Sequence, residues 1–336
     1  MSKIAVLGGG SWGSAIAQVL GGNGHSVALY IKDPQQYQEV RATGKNEKYL
    51  EDFTFLSEIE FHNSLAGAVE GAEAIILAVP TNAARSVATE LRELNLPKMP
   101  VINLAKGLEE NSHLRVSQVV AELLPEHPYL VLSGPSHAEE VAREIPTTVA
   151  VAGGDDETRK WCQKLFSNDF FRVYTQRDLI GVELGGALKN IIALGCGISD
   201  GLGFGDNTKA AMMTRGMVEI QRLGVALGAD PKTFQGLSGM GDLIVTCTSL
   251  HSRNRSFGYH LGQGKTVEEA MEAVRMVVEG YKTTRACYEL AKEKNIEMPI
   301  TEKLYGVLYR GEDPSEAVLE LMVRPHKRED EDDLYR

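Results

Sequence analysis

Cysteine is scarce in this chain: Cys162, Cys196, Cys247 and Cys287 are far apart and show no metal-ligand spacing. That excludes a disulfide scaffold and a bound metal of the zinc-finger kind, and fits reduced thiols in a cytosolic protein. Basic residues are in deficit. The 35 Lys and Arg against 46 Asp and Glu leave a net charge of −11, which argues against nucleic acid or an anionic membrane as partner. An anionic ligand would need a local basic cluster set against that global sign. Long apolar runs are missing too: the longest, such as Ala74 to Val79, are strand-sized, so no integral membrane segment is expected. No internal repeat is found, and no signal peptide is expected, because the first strand begins at residue 3. The only biased segment is the tail from Arg324, ending in Glu329, Asp330, Glu331, Asp332 and Asp333. It reads as solvated and frayed.

What remains is ordinary globular composition, 43% hydrophobic and 24% charged over 336 residues, enough for two domains with separate cores. The organising stretch is KIAVLGGGSWGSAIAQVLGGNGHSVALY, Lys3 to Tyr30. Ile4 to Leu7 is a β-branched apolar run, the pattern of a buried parallel strand. Gly8, Gly9, Gly10, Ser11, Trp12 and Gly13 follow, then helical periodicity through Ala15, Ile16, Val19 and Leu20, then a second strand at Ser26 to Ile31. Strand, Gly-x-Gly-x-x-Gly turn, helix and strand within about thirty residues is the context in which a dinucleotide fingerprint carries meaning. Gly8 makes the tight turn, Gly10 admits a pyrophosphate against the backbone, and Gly13 lets the helix sit close on the strand.

Strands and helices alternate for about 175 residues. Helices are expected at Gln35–Arg41, Ser64–Glu70, Ala83–Leu94, from about Ser112 to Leu124, around Ala138–Arg143 and at Glu157–Phe166. Strands are expected at Ile59–His62, Ala74–Val79, Val101–Leu104, Leu130–Leu132, Thr148–Val151 and Phe171–Tyr174. Repeated βα units imply a doubly wound, Rossmann-like, mostly parallel sheet. Ligands in such sheets bind beyond the strands' carboxyl ends. There the sequence holds Gly8–Gly13; Pro80, Thr81 and Asn82; Asn103, Ala105, Lys106 and Gly107; and Ser133, Gly134, Pro135, Ser136 and His137. At the end of the second strand Lys32 and Asp33 stand side by side. If Lys32 faces the adenosine ribose, NADP is favoured, and if Asp33 does, NAD is. The balance leans to NADP.

From Asp178 the alternation stops and helical patterns dominate, so an α/β dinucleotide-binding domain over 1–177, an all-helical substrate and catalytic domain over 178–323 and a charged tail over 324–336 are expected. Val182, Leu184, Ala187, Leu188, Ile191, Ile192, Leu194 and Ile198 describe a largely buried helix, interrupted by Lys189 and Asn190. A lysine so deep either snorkels or has a task. Further on come Gly239–Thr246, then Leu250 to Arg255, with Ser252 reading as an N-cap. Arg253 and Asn254 fall in that helix's first turn, where amides and a guanidinium fork suit a phosphate; a capped surface helix is the alternative.

At these motifs the chain resembles the NAD(P)-dependent glycerol-3-phosphate dehydrogenases of bacterial type, from end to end except for the acidic tail. GGGSWG at Gly8–Gly13, NLAKGLE at Asn103–Glu109, SGPSHAEE at Ser133–Glu140, ELGGALKNIIALGCGISDGL at Glu183–Leu202, GMGDLIVTCTS at Gly239–Ser249 and SRNRSFG at Ser252–Gly258 carry the resemblance. It implies reversible hydride transfer between sn-glycerol 3-phosphate and NADP or NAD, giving dihydroxyacetone phosphate, in the cytoplasm and in service of phospholipid synthesis. It makes Lys189 the acid/base, with Lys106 near cofactor and substrate, and Asp242 and Thr246 lining the substrate site together with Gly134 and Ser136. Ser252, Arg253 and Asn254 would hold the phosphate. Ser11, Trp12, Lys32, Ala138, Arg253, Val277 and Glu279 would touch the dinucleotide. His137 departs from the family's more frequent phenylalanine and reads as structural.

Reducing a ketone needs a proton for its oxygen, which the Lys189 ammonium supplies without any change in acidity. The reverse oxidation needs the neutral amine, so Lys189 would have to fall from about 10.4 towards 7, a cost of about 4 kcal/mol. Burial, Lys106 and Arg253 push that way, and Asp242 opposes. Ketone reduction is therefore expected to be the easier direction at neutral pH. The rival readings are a related dehydrogenase of a 3-hydroxy acid or a phosphogluconate-like acid, and a cofactor-binding regulator without turnover. SRNRSFG and GMGDLIVTCTS favour the glycerol phosphate reading over the first, and Lys106, Lys189 and Asp242 together argue against the second. A homodimer is compatible with the large helical second half.

Overall fold

The computed structural model describes residues 2–329; the acidic stretch Asp330–Asp333 lies outside them. Among these residues two compact units emerge, one of residues 2–105 and 116–179, the other of residues 106–115 and 180–329. The segment 106–115 thus belongs with the second unit although the chain on both sides of it belongs to the first.

The first unit is built on an eight-stranded sheet. Its strands are β1 (Lys3–Leu7), β2 (Ser26–Tyr30), β3 (Ile59–His62), β4 (Ala74–Leu77), β5 (Val101–Asn103), β6 (Tyr129–Ser133), β7 (Thr147–Gly153) and β8 (Phe171–Gln176). They run in the order β3-β2-β1-β4-β5-β6-β7-β8, parallel except for the antiparallel β6–β7 pair. Helices α1 (Ser11–Gly22), α2 (Pro34–Thr43), α3 (Leu65–Val69), α4 (Thr81–Glu93), α5 (Val116–Leu123), α6 (Ala138–Val141) and α7 (Asp156–Phe166) connect them. The expected doubly wound sheet is present, and β1 shows why. Ile4 and Val6 join one apolar cluster while Ala5 and Leu7 join another, so both faces of the strand are covered and no polar alternation is possible. The strand order reverses between β1 and β4, which makes their carboxyl ends the crevice of the sheet.

One expected helix starts late. The stretch from Ser112 does not enter α5 until Val116. Residues 108–115 instead fold back on themselves, Leu108 bridging Arg115 in antiparallel fashion, with His113 at φ 58°. Leu108 is buried in the second unit's core, and that burial outweighs the helical periodicity of the segment.

The second unit is helical apart from this fold-back: α8 (Leu179–Gly201), α9 (Asp206–Ala226), α10 (Asp242–Thr248), α11 (Arg253–Gly262), α12 (Val267–Val274), α13 (Glu279–Glu293), α14 (Pro299–Tyr309) and α15 (Pro314–Met322). Contrary to the expectation from run length, α8 is long and apolar enough to cross a membrane, but 89% of that window is buried inside the protein. It is the core of its unit, and α11 lies across it with almost no side chains between. A Cβ on Gly197 would come 2.0 Å from the Arg255 carbonyl oxygen, and one on Gly258 2.0 Å from that of Leu194. Gly201 and Gly262, one turn on in each helix, make the same kind of contact. The backbones meet directly, within reach of Cα–H···O contacts. Gly258→Ala is expected to destabilise the protein by about 1–3 kcal/mol, because backbone cannot yield as a flexible side chain does. An unchanged denaturant midpoint would contradict that crossing.

The start of the tail is largely exposed and carries no helix or strand. Arg324 and Lys327 both pair with Glu297, the latter at 2.7 Å.

Candidate active site

In the first unit, the β1–α1 turn has the shape that its glycines dictate. Gly8 sits at φ 127°, and a Cβ there would lie 2.5 Å from the Ala78 carbonyl oxygen beyond β4. A Cβ on Gly13 would lie 1.9 Å from the Gly8 carbonyl oxygen, so only glycine lets α1 start this close to β1. At Gly10, by contrast, a Cβ would meet nothing within 4 Å. The N-terminus of α1 has neither a side-chain cap nor an acidic residue in its first turn. Open space and uncapped amides at a positive helix end fit the pyrophosphate of a dinucleotide. Ser11 is buried in that turn, and the Trp12 indole Nε1 is buried without a hydrogen-bond partner among the described residues.

Lys32 and Asp33 have separate fates. The Asp33 carboxylate caps α2, accepting from the amides of Gln35 (2.9 Å) and Gln36 (3.4 Å), and pairs with Lys48 at 3.4 Å. These bonds, the Gln36 amide first, hold it below the usual carboxylate range. Lys32 is exposed. At the end of β6, Gly134 adopts φ 151° and its carbonyl accepts from the Ser136 hydroxyl at 2.9 Å. Ala138 opens α6 and is buried.

In the second unit the structure brings Lys106, Lys189, Asp242 and Thr246 together. A wide turn, Leu237–Gly241, leads into α10, closed by the Gly241 amide on the Gly236 carbonyl at 3.1 Å. Such π-type turns recur at functional sites. It delivers Asp242, 1% exposed. One carboxylate oxygen accepts from Lys189 Nζ at 2.5 Å and the other from Lys106 Nζ at 2.7 Å. Thr246, one turn along α10, has its Oγ1 2.5 Å from Lys189 Nζ and donates to the Asp242 carbonyl at 2.6 Å. Lys189 does not snorkel: it is 6% exposed. Burial lowers its pKa to about 8 and Lys106 adds to that, with Asp242 opposing. For Asp242 burial acts the other way, but Lys106 and Lys189 outweigh it and keep the carboxylate ionised.

The SRNR stretch divides by role. Ser252 caps α11 as expected, its hydroxyl accepting from the Arg255 amide at 3.2 Å. Arg255 is tied to Asp200 at 2.6 Å, whereas Arg253 is exposed at the helix N-terminus. Asn254 is buried and structural in its bonds: its amide donates to Asn190 Oδ1 at 2.9 Å and accepts from the Gly280 amide at 2.8 Å. Asn190 in turn donates to the Lys106 carbonyl at 3.1 Å. Glu279 opens α13 just before Gly280, and Val277 is exposed ahead of it. Residue pattern alone assigns no role to this amide chain from Lys106 to α13, although a second polar residue beside Lys189 in an apolar helix is its visible sign.

A doubly wound sheet with an uncapped glycine turn, and a separate helical unit holding a buried lysine on a carboxylate, define a nicotinamide-dependent oxidoreductase of two units. Sequence families described as the N-terminus and C-terminus of NAD-dependent glycerol-3-phosphate dehydrogenase match residues 3–159 and 178–319. The chain belongs to that family. It is 54% identical to a glycerol-3-phosphate dehydrogenase (NAD(P)+) of Geobacillus kaustophilus, over 99% of this chain and 98% of the relative. A protein of the same description from Shouchella clausii is 52% identical over the full length of both. Among solved structures, the glycerol-3-phosphate dehydrogenase of Coxiella burnetii superposes with a TM-score of 0.93 at 40% identity, covering 96% of this chain and 99% of its own.

Proposed function

We propose that this protein catalyses the reversible, NAD(P)-dependent reduction of dihydroxyacetone phosphate to sn-glycerol 3-phosphate, with Lys189 as the acid/base. The observation that carries the reading is the Lys189 amine, buried, bonded to Asp242 and Thr246, and lowered to about 8. The bound nicotinamide supplies or accepts the hydride. In reduction the Lys189 ammonium gives one proton to the oxygen of the substrate's C2 carbonyl, and in oxidation the neutral amine takes the hydroxyl proton back. Asp242 holds the amine in position as the counter-ion it shares with Lys106, whose positive charge loosens the Lys189 proton. Thr246 fixes the amine's second direction, which leaves less rotamer freedom to lose in the transition state. Gly134 and Ser136 are assigned to the substrate, and Gly8, Gly10, Ser11, Trp12, Gly13, Lys32, Ala138, Val277 and Glu279 to the cofactor.

NADPH is the preferred reductant in this reading. The support is that Asp33, the residue that would favour a ribose hydroxyl and repel a 2′-phosphate, spends its carboxylate on the α2 cap and Lys48, while Lys32 is exposed. A cytoplasmic setting belongs to the same reading, supported by four cysteines buried as free thiols, as does a role in phospholipid synthesis. The deciding experiment follows NADPH and NADH absorbance with dihydroxyacetone phosphate. Turnover that prefers NADPH is expected; no turnover, or equal turnover of unphosphorylated dihydroxyacetone, would overturn the reading.

The substrate phosphate is assigned to Ser252, Arg253 and Asn254 at the N-terminus of α11, with the exposed Arg253 side chain as its charged contact. Arg253→Ala should weaken substrate affinity by about 1.5–3 kcal/mol, the worth of a hydrogen bond to a charged group, or roughly 10- to 100-fold in KM, with kcat little changed. A shift confined to kcat would remove Arg253 from the phosphate.

A further inference from the structure

Lys106 reaches the site on a strap of ten residues, 106–115, whose neighbours Ala105 and Val116 belong to the first unit while the strap itself belongs to the second. Its two limbs are joined by the Leu108–Arg115 bridge and by the Glu109 amide on the Leu114 carbonyl at 2.9 Å. Two ion pairs and one histidine–carboxylate hydrogen bond tie it down besides the ion pair of Lys106. Glu110 meets Lys282 at 2.8 Å, His113 meets Glu289 at 2.9 Å, and Arg115 meets Glu183 at 2.7 Å. The first two are partly exposed and of small consequence for geometry. The Arg115–Glu183 pair differs, its side chains being only 15% and 6% exposed.

We propose that Arg115 and Glu183 are positioning residues for the reaction, their ion pair anchoring the base of the strap on α8 so that the Lys106 ammonium stays on Asp242 and beside Lys189. The inference rests on the function proposed above. Glu183 lies six residues before Lys189 on one continuous helix, so the spacing between the anchor and the acid/base is set by rigid backbone. Arg115 stands directly opposite Leu108, two residues from Lys106, on the other limb. Leu108 in the core and the Asn190 bond to the Lys106 carbonyl fix the same limb from below. Removing the buried pair leaves that limb without its partner's anchor, and a long lysine side chain follows its backbone.

The charged and titratable groups facing Lys189 are few. They are Asp242 and Cys247 on α10, with the neutral Thr246 hydroxyl between them, and Lys106 on the strap. Asp242 and Cys247 favour the ammonium, and Lys106 disfavours it. A strap that lets Lys106 drift off Asp242 therefore lets Lys189 hold its proton more tightly. Oxidation of glycerol 3-phosphate, which needs the neutral amine, then starts at higher pH.

The test compares pH profiles of glycerol 3-phosphate oxidation for the full-length protein and its variants. Arg115→Met should move the midpoint of the alkaline limb upward by about half a pH unit or more, as expected on loss of a neighbouring like charge. Its kcat/KM at pH 7 should fall several-fold. Arg115→Lys should restore most of both, and Glu183→Gln, nearly isosteric and the fallback should Arg115→Met fold poorly, should repeat the shift. In a Lys106→Gln background, Arg115→Met should move the midpoint no further. A midpoint unmoved by Arg115→Met and Glu183→Gln, or moved equally with and without Lys106, overturns the proposal. In either case turnover by the parent protein keeps the underlying function intact, and absence of that turnover is a failure of the function instead.

Discussion

Lys189→Ala is expected to lower kcat by roughly 10²–10⁴, the usual worth of a positioned acid/base, while dinucleotide binding survives. The variant should fold, because Asp242 keeps Lys106 as a partner at 2.7 Å. The pH dependence gives the sharper signature. With Lys189 lowered to about 8, only about a tenth of the amine is neutral at pH 7, so oxidation should rise roughly tenfold towards alkaline pH and then level off, while reduction declines over the same range. That limb should vanish in Lys189→Ala. Stability carries a matching sign. The folded-state pKa lies below the ordinary lysine value of 10.5, so between about 8 and 10.5 the unfolded chain binds more protons. Stability should therefore rise with pH across that window, and below it Lys189 costs the fold about 3 kcal/mol. Lys189→Met should accordingly be at least as stable as the parent at pH 7, as when buried ion pairs elsewhere are replaced by apolar groups. Near-normal turnover in Lys189→Ala, or an alkaline limb that persists in it, would remove the lysine from its role.

Asp242→Ala should do more damage for a different reason. Asp242 is the shared counter-ion of two ammonium groups, 1% exposed and bonded at 2.5 and 2.7 Å. Its loss leaves two like charges facing each other out of water, and breaking such a pair typically costs about 3–5 kcal/mol. The protein can relieve this by releasing the Lys189 proton, since Asp242 is the main group that holds the proton on. The variant should therefore be unstable at acidic pH, recover in part at alkaline pH, and lose reduction at pH 7 by at least the factor lost in Lys189→Ala. Unfolding midpoints at pH 6 and pH 9, together with rates in both directions, separate the two effects. An unfolding midpoint equally lowered at both pH values would mean that Asp242 serves packing rather than charge balance.

Much of this molecule is legible in residue pattern. β1, its glycine turn and α1 are specified locally: a β-branched run, glycines where a Cβ would strike backbone, and helical periodicity follow one another within twenty residues. The Ser252 cap is equally local. Lys189 is marked as odd by its apolar neighbours, but whether it snorkels depends on Asp242, fifty-three positions away, and no periodicity encodes that meeting. The fold-back at 108–115 reads in the sequence as the approach to α5, because Leu108 answers to a core built by the second half of the chain. The glycine pairs of α8 and α11 are visible as i, i+4 spacings yet carry a message only once two helices are known to cross.

That crossing has a consequence for what the enzyme can evolve to accept. With carbonyl oxygens of one helix seated against glycines of the other at Gly197, Gly201, Gly258 and Gly262, neither helix can slide or rotate past its mate without collision. The start of α11 is thereby held at a fixed distance from Lys189 on α8, and if Lys189 and Arg253 act as proposed above, that distance would set the span from carbonyl to phosphate in a candidate molecule. On that proposal, descendants that handle longer phosphorylated ketones would have to break this glycine seam first, and substitutions there, rather than at the charged groups, would change substrate length.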